Sequence, residues 1–321
     1  MSKDRQRSFA IVNFYSHQYN GYFRPFYESA KRHFFPDSQR TFFIFTDNPY
    51  VNEPDIVRVP IKDGRPSLRF QQLEQIIDEL SHFDHFVLFN GNSFFLQRID
   101  VDSHPEDEVF LAPLFGSTCG LAHQSYLCVS SDRNSPTYID RDSEDISTYY
   151  RGGLWGGSPE MVIPMIRHLA EQGRSQQLND ELQINRYFVT HKTTNTLPCL
   201  DHRYIWSGMW GNNPHFDLRI VMADKCGAYG ALRAQAVSDQ EMQTFASGPV
   251  ADGTFYIGPG SWPSDVLRSA PEPPPVLIDT PVMSLSNRAR YLTRSVLEGL
   301  LPPLLYKALR KLNGLRARMR S

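Results

Sequence analysis

The chain has 321 residues, of which 40% are hydrophobic and 21% charged, a composition that excludes a disordered or fibrous protein. Its 33 basic and 35 acidic side chains leave a net charge of −2, so we expect no nucleic-acid partner. The four cysteines stand too far apart in the sequence for a zinc motif or a disulfide framework. We also expect no signal peptide, and no run reaches the ~18 apolar residues of a membrane span.

The first half of the chain alternates segments that are typical of strands and of helices. Strands are predicted at 9–14, 41–45, 56–59 and 86–89, and helices at 21–35 and 68–80. In the second half a strand is predicted at 109–112, and helices at 159–172 and 178–190. Strands that alternate with helices in this way indicate an α/β fold with right-handed crossovers.

The C-terminal part of the chain differs in composition from the rest. Residues 241–284 are rich in Gly, Pro and Ser, which predicts a linker after a domain at 1–240. Residues 285–321 hold nine basic side chains and one acidic one, a net +8, with apolar residues at helical spacing. Such a basic amphipathic helix is typical of segments that lie on anionic membranes. The alternatives are packing on the domain or binding of a partner protein.

The first candidate site follows the predicted strand at 86–89. Asn90 and Asn92 flank Gly91 there, at the carboxyl end of a strand, where ligands bind in open α/β sheets. Two carboxylates would indicate Mg²⁺ or Mn²⁺ beside a nucleotide diphosphate, but amides hold such ions poorly and hydrogen-bond sugars and phosphates instead. On spacing alone, an ordinary strand-to-loop turn is the commoner explanation.

Two further segments are informative. Four glycines fall within residues 152–157, before a predicted helix, which fits either close approach of a ligand or tight turn packing. Asp180 and Glu181 begin another predicted helix, where acids usually cap the helix or complement its dipole. The functional alternative is that one carboxylate faces the anomeric carbon of a sugar while its neighbour binds a sugar hydroxyl.

Taken together, these segments resemble glycosyltransferase family 6, which includes the histo-blood-group A and B transferases and the α-1,3-galactosyltransferase. The matching pieces are, in order, residues 28–35, 45–47, 67–70, 90–92, 113–116, 149–157, and 180–181 with 185–188. The Asn-x-Asn turn in place of Asp-x-Asp is similar to the bacterial members, which work without a metal. The resemblance implies an α/β fold of the GT-A type, with a central, mostly parallel sheet flanked by helices.

The resemblance also implies an activity. It is the transfer, with retention, of N-acetylgalactosamine or galactose from a UDP-sugar to a galactose-type acceptor, through an α-1,3 linkage and with no metal or other cofactor. The product would be a bacterial surface glycan such as lipopolysaccharide or O-antigen. We expect a cytoplasmic protein whose basic tail contacts the inner face of the cytoplasmic membrane. The alternative is an inactive module that binds a UDP-sugar or a glycan.

Residue roles follow from the same resemblance. Glu181 matches the catalytic carboxylate, as a nucleophile or as a stabiliser of an oxocarbenium-like centre. The residues expected to bind the donor are Phe14, Tyr19, Arg69, Asn90, Asn92, Arg151, Gly152, Gly153, Asp180, Lys225 and Arg233. Those expected to shape the acceptor pocket are Cys119, His123, Trp155 and Asn179.

Two of these roles depend on charge and size. Lys225, with Arg69 or Arg233, would stabilise the negative charge of the leaving diphosphate in the absence of a metal. Arg151 replaces a small or apolar residue of the family. Gly153 would leave space for an N-acetyl group, which favours N-acetylgalactosamine as the donor sugar.

Overall fold

Two sheets, one of seven strands and one of three, organise the part of the chain that the structure describes. In this computed structural model the described residues are 6–61, 68–118, 133–139, 150–175, 178–191, 197–200, 203–204, 206–207, 218–222 and 237–247. The basic tail at 285–321 lies outside them, and so do four predicted site residues, Cys119, His123, Lys225 and Arg233.

The strands are β1 (Ser8–Tyr15), β2 (Gln39–Thr46), β3 (Ile56–Pro60), β4 (His85–Phe89), β5 (Ser93–Phe95), β6 (Leu114–Thr118), β7 (Tyr150–Gly157), β8 (Cys199–Leu200), β9 (Trp206–Ser207) and β10 (Ile220–Met222). The α-helices are α1 (Phe23–His33), α2 (Arg69–Leu73), α3 (Ile77–Leu80), α4 (Pro159–Ser175), α5 (Asp180–Thr190) and α6 (Asp239–Ser247). Short 3₁₀ helices span His17–Tyr22, Glu74–Ile76 and Pro105–Leu111.

The larger sheet has the order β3-β2-β1-β4-β7-β6-β8. Its first four strands are parallel, β7 runs antiparallel to β4 and β6, and β8 is parallel to β6. The smaller sheet has β10 in the middle, antiparallel to β5 and parallel to β9. This mostly parallel central sheet with flanking helices confirms the predicted α/β class.

Helices cover both faces of the large sheet, and this explains the continuous apolar runs of its central strands. All eight residues of β1 are buried. Phe9 and Ile11 join an apolar cluster with α1, whereas Ala10 and Val12 join a second cluster with α2, α3 and α4. A strand buried on both faces has no polar face to alternate with, so its sequence is mostly apolar.

Two parts of the predicted secondary structure differ from the structure. The strand predicted at 109–112 is wrong, since most of these residues lie in the 3₁₀ helix Pro105–Leu111. That helix begins with proline and carries three acids in its first turn, both of which favour a helix N-terminus. The glycine run at 152–157 belongs to strand β7 rather than to a turn.

Helix α6 crosses position 240, where the sequence predicted the domain to end. Its start is a capping box, because Ser238 N donates to Glu241 Oε2 at 2.8 Å and Glu241 N donates to Ser238 Oγ at 3.3 Å. The helix packs on the N-terminal part of the domain, where Asn48 Nδ2 donates to Met242 O at 2.8 Å. No helix among the described residues is long and apolar enough to cross a membrane.

Candidate active site

The candidate site lies where the carboxyl ends of β1 and β4 meet strand β7. Phe89 of β4 pairs with Leu154 of β7, and this register brings the next residue, Asn90, alongside Gly153. A Cβ built on Gly153 would lie 2.6 Å from Asn90 Nδ2, so the amide packs directly on the glycine. The space that we expected to receive an N-acetyl group is therefore filled by Asn90, and the argument for N-acetylgalactosamine from Gly153 does not hold.

The turn at 90–92 packs closely on the end of β1. A Cβ on Gly91 would lie 2.9 Å from the carbonyl oxygen of Phe14, so glycine is needed for this approach. Asn13 Nδ2 donates to the carbonyl oxygen of Asn90 at 3.5 Å. Asn92 is only 1% exposed. The structure thus places Asn90 at the surface of the site and Asn92 behind it, in the interior.

Asn179 is the N-cap of α5, the helix that carries the two acids. Its side-chain oxygen accepts hydrogen bonds from the backbone N–H of Glu181 at 2.9 Å and of Leu182 at 3.2 Å. The cap oxygen therefore comes from Asn179. We expected Asn179 to shape the acceptor pocket, but its side-chain oxygen accepts hydrogen bonds from the backbone of α5.

Gly152 of β7 contacts both acids of α5. Its N–H donates to Glu181 Oε2 at 3.0 Å. A Cβ at this position would lie 3.2 Å from Glu181 Cβ and 3.3 Å from Asp180 Oδ2, so the absence of a side chain lets the helix approach the strand. The carboxylate of Glu181 is in this way held at the N-terminus of α5, beside the strand.

Arg69 connects this acid pair to the end of β1. Its guanidinium donates to Asp180 Oδ2 and, at 3.3 Å, to the carbonyl oxygen of Gly152. It also lies 5.2 Å from the centre of the Phe14 ring. Both partners of the ion pair are buried. Because the two charges compensate each other, the pair adds no net charge to the site.

Two aromatic residues predicted to bind substrates have different surroundings. Tyr19 lies in the 3₁₀ helix His17–Tyr22, with its ring 5.6 Å from that of Tyr22. Trp155, which we assigned to the acceptor pocket, is 0% exposed and packs between Phe70 and Phe86. Position 155 faces the helices that cover the sheet, so Trp155 is a core residue, and its assignment to the acceptor pocket is wrong.

Two residues of the site had no predicted role. Asn185 of α5 exchanges two hydrogen bonds with the backbone of Tyr150, at 2.8 and 2.7 Å, and so fixes α5 against β7. Met222, at the end of β10, accepts a hydrogen bond from Asn90 Nδ2 at 3.5 Å. The Asn185 contact has a weak sequence signal, because Asn185 lies one helical turn after Glu181.

Arg151, which we expected to bind the donor, is half-buried in β7, next to Gly152.

Within the described ranges, no group of three or more His, Cys, Asp or Glu side chains is placed so that it could hold a metal ion. The turn residues Asn90 and Asn92 contribute amides and no carboxylate. Neutral amides such as these are weak ligands for a hard divalent cation.

The chain is similar in sequence to known glycosyltransferases. The family profile of glycosyltransferase family 6 matches residues 3–233 of the chain. This range includes every predicted site residue. The chain is 22% identical over 229 residues to the O-antigen biosynthesis glycosyltransferase WbnI of Escherichia coli, covering 65% of this chain and 91% of that protein. It is 24% identical over 235 residues to globoside alpha-1,3-N-acetylgalactosaminyltransferase 1 of Gallus gallus, covering 65% and 64% respectively.

Proposed function

The chain belongs to glycosyltransferase family 6 and is a glycosyltransferase with a fold of the GT-A type, and we propose that it moves N-acetylgalactosamine or galactose from a UDP-sugar to a galactose-type acceptor. The proposed reaction retains the anomeric configuration, forms an α-1,3 linkage and needs no divalent metal. The activities named for the two relatives support a surface glycan as the product and an α-1,3 linkage.

The observation that carries this proposal is the placement of Glu181. Its carboxylate is held by the Gly152 N–H, next to an ion pair in which Arg69 compensates Asp180. Of the two neighbouring acids, Asp180 is paired with the Arg69 guanidinium, whereas Glu181 accepts a hydrogen bond from the backbone of Gly152. In a retaining transfer a carboxylate can attack the anomeric carbon or stabilise an oxocarbenium-like centre there, and we assign one of these roles to Glu181.

The absence of carboxylates in the 90–92 turn supports a reaction without a metal. The leaving UDP develops negative charge, and its stabilisation is normally a large part of catalysis. Arg69 is an unsuitable partner for that charge because it is paired with Asp180. We therefore assign the role to Lys225 and Arg233, which lie outside the described residues.

We also propose a location for the enzyme. Residues 285–321 would bind the anionic inner face of the cytoplasmic membrane through their net charge of +8. A lipid-linked acceptor at that surface would then be within reach of a cytoplasmic enzyme. Removal of 285–321 should release the protein from anionic vesicles and leave its activity on soluble acceptors unchanged.

The experiment that tests the proposed function uses the purified full chain, EDTA, UDP-N-acetylgalactosamine or UDP-galactose, and a panel of galactosides. We expect UDP release and an α-linked product, identified by the anomeric coupling in its NMR spectrum. A β-linked product would contradict retention, and activity that appears only with Mn²⁺ would contradict metal independence. Binding of UDP without turnover of either donor would identify the chain as an inactive sugar-nucleotide binder.

A further inference from the structure

Met222, the last residue of β10, contacts a residue of the proposed donor site. Its thioether sulfur lies 3.5 Å from Nδ2 of Asn90, 132 positions away in the sequence. Met222 is only 8% exposed. The side chain therefore lies beneath the turn and touches Asn90 from the interior.

The position of Met222 is fixed by the smaller sheet. Met222 pairs with Ser93 across the β5–β10 ladder, and Ser93 N donates to the carbonyl oxygen of Asn90 at 3.0 Å. Strand β10 is in turn anchored by Arg219, which is 1% exposed and donates to Asp107 Oδ2 at 3.1 Å. The contact between Met222 and Asn90 thus follows from strand pairing and not from a flexible loop.

The chemistry of a thioether determines which end of the amide faces it. Sulfur in methionine has no hydrogen to donate and accepts only weakly, so it accommodates an N–H and not a second acceptor. If the amide were rotated by half a turn, Asn90 Oδ1 would face the sulfur. Two acceptors would then be in contact, which is unfavourable. Gly153 packs against the same NH₂ group. The carbonyl oxygen Oδ1 is directed away from the sulfur, and no described residue donates a hydrogen bond to it.

We propose that Met222 is a positioning residue, which orients the Asn90 amide so that its carbonyl oxygen accepts a hydrogen bond from a hydroxyl of the sugar nucleotide. This inference rests on the proposed function, because it takes a sugar nucleotide to be the ligand. A carbonyl oxygen attracts hydroxyl groups and repels the acceptor oxygens of phosphate. Asn90 therefore recognises a ribose or hexose hydroxyl and does not bind the diphosphate.

The pairing with sulfur also makes position 90 selective for an amide. A carboxylate there would place a charged acceptor against a weak acceptor in a largely buried environment, which is unfavourable. Asn90→Asp should therefore weaken UDP binding more in the wild-type background than beside a leucine at position 222.

The test measures the affinity of the full chain for UDP and for the intact UDP-sugar by calorimetry, with EDTA present. Met222→Leu keeps the volume and removes the sulfur acceptor. The lost hydrogen bond should raise the dissociation constant about 2- to 10-fold while kcat changes less than this. If the dissociation constants of UDP and of the UDP-sugar both rise, the hydroxyl belongs to the ribose. If only the dissociation constant of the UDP-sugar rises, the hydroxyl belongs to the hexose. Met165→Leu, the same change in the core of α4, is the matched control.

A double-mutant comparison separates orientation from mere packing. If Met222 acts through Asn90, then Met222→Leu should have no further effect once Asn90→Ala has removed the amide. An equal effect in both backgrounds would overturn the inference. Met222→Gln, whose side-chain oxygen can accept the same N–H, should restore affinity, which covers the case in which Met222→Leu folds poorly.

The outcomes also separate this inference from the proposed function. Wild-type protein that binds no uridine nucleotide would overturn both. Wild-type protein that binds UDP or the UDP-sugar, with neither affinity altered by Met222→Leu, would overturn the role of Met222 and leave the proposed function standing.

Discussion

The side-chain amide of Asn90 fills the space that a side chain at position 153 would need. A Cβ on Gly153 would lie 2.6 Å from Nδ2 and 2.8 Å from Cγ of Asn90, and asparagine is too short to move its amide far without leaving the site. The close packing of Asn90 on this position therefore explains why it is glycine. It does not by itself indicate which donor sugar is bound.

Gly153→Ala should accordingly weaken the binding of both donors. Displacement of the Asn90 amide would remove the hydrogen bond that we propose between Asn90 and the sugar nucleotide, so we expect KM to rise about 10-fold for UDP-N-acetylgalactosamine and for UDP-galactose alike. Steady-state kinetics with each donor provide the measurement. Gly173→Ala is the control, since the atoms nearest to its Cβ would be the ends of the Gln71 and Gln183 side chains, away from the site. A change confined to the ratio between the two donors would contradict this explanation and restore the N-acetyl pocket.

The ion pair between Arg69 and Asp180 should be important for folding as well as for the site. Arg69→Leu leaves a buried, uncompensated carboxylate, which should lower the free energy of unfolding by about 3–5 kcal/mol. Adding Asp180→Asn should recover a large part of that loss, because the amide carries no charge. Urea denaturation of the two single variants and the double variant gives the coupling free energy. Additive losses would show that the two side chains do not interact.

The cap formed by Asn179 can be separated experimentally from a role in acceptor binding. Asn179→Ala removes the oxygen that receives two backbone N–H groups, so we expect a loss of about 1 kcal/mol in unfolding free energy and a lower kcat. Asn179→Ser retains a capping oxygen on a different side chain and should keep both quantities near their wild-type values. A raised acceptor KM in the stable serine variant would instead indicate direct contact with the acceptor.

Tyr204 provides a prediction about alkaline pH. Burial disfavours its phenolate, and the Tyr204 hydroxyl donates a hydrogen bond to the negatively charged Asp107 carboxylate, so the pKa of Tyr204 is raised well above the ordinary value. The folded protein keeps this proton where the unfolded chain releases it. Its contribution to stability is therefore complete below about pH 10 and is lost as the pH rises further.

Tyr204→Phe should make stability less sensitive to alkaline pH. We expect the variant to remove about 1.4 kcal/mol per pH unit from the decline in unfolding free energy above about pH 10. Urea denaturation at a series of pH values provides the measurement, with Tyr50→Phe as the comparison because that ring is exposed. An identical slope in wild type and Tyr204→Phe would contradict the raised pKa.

The central strands were predictable because they are buried on both faces. Continuous apolar runs such as 41–45 and 86–89 admit few alternatives between two helical layers. Strand β7 was missed for a physical reason. Its glycines, which hide the strand pattern in the sequence, are needed where Asn90 and the two acids of α5 approach the backbone.

Within the site, predictability depended on whether a residue belongs to a local motif. Asp180 and Glu181 stand together in the sequence, so they were found as a pair, and the structure places them beside Gly152 and Arg69. Met222 could not be predicted, because its contact with Asn90 depends on pairing between β5 and β10, which are distant in the sequence. Trp155 was assigned to the wrong environment because the strand that carries it was not recognised.

The most direct test of the account is the turnover of UDP-sugar by Glu181→Gln in the presence of EDTA. Glutamine keeps the shape of the side chain and a carbonyl oxygen for the Gly152 N–H, but removes the negative charge. Glu171→Gln, on the exposed surface of α4, is the matched control. We expect Glu181→Gln to bind UDP as wild type does, to keep its thermal stability, and to lose at least about 10²-fold in kcat. If the folded Glu181→Gln protein had the kcat of the wild type, this would contradict the assignment of Glu181 as the catalytic carboxylate.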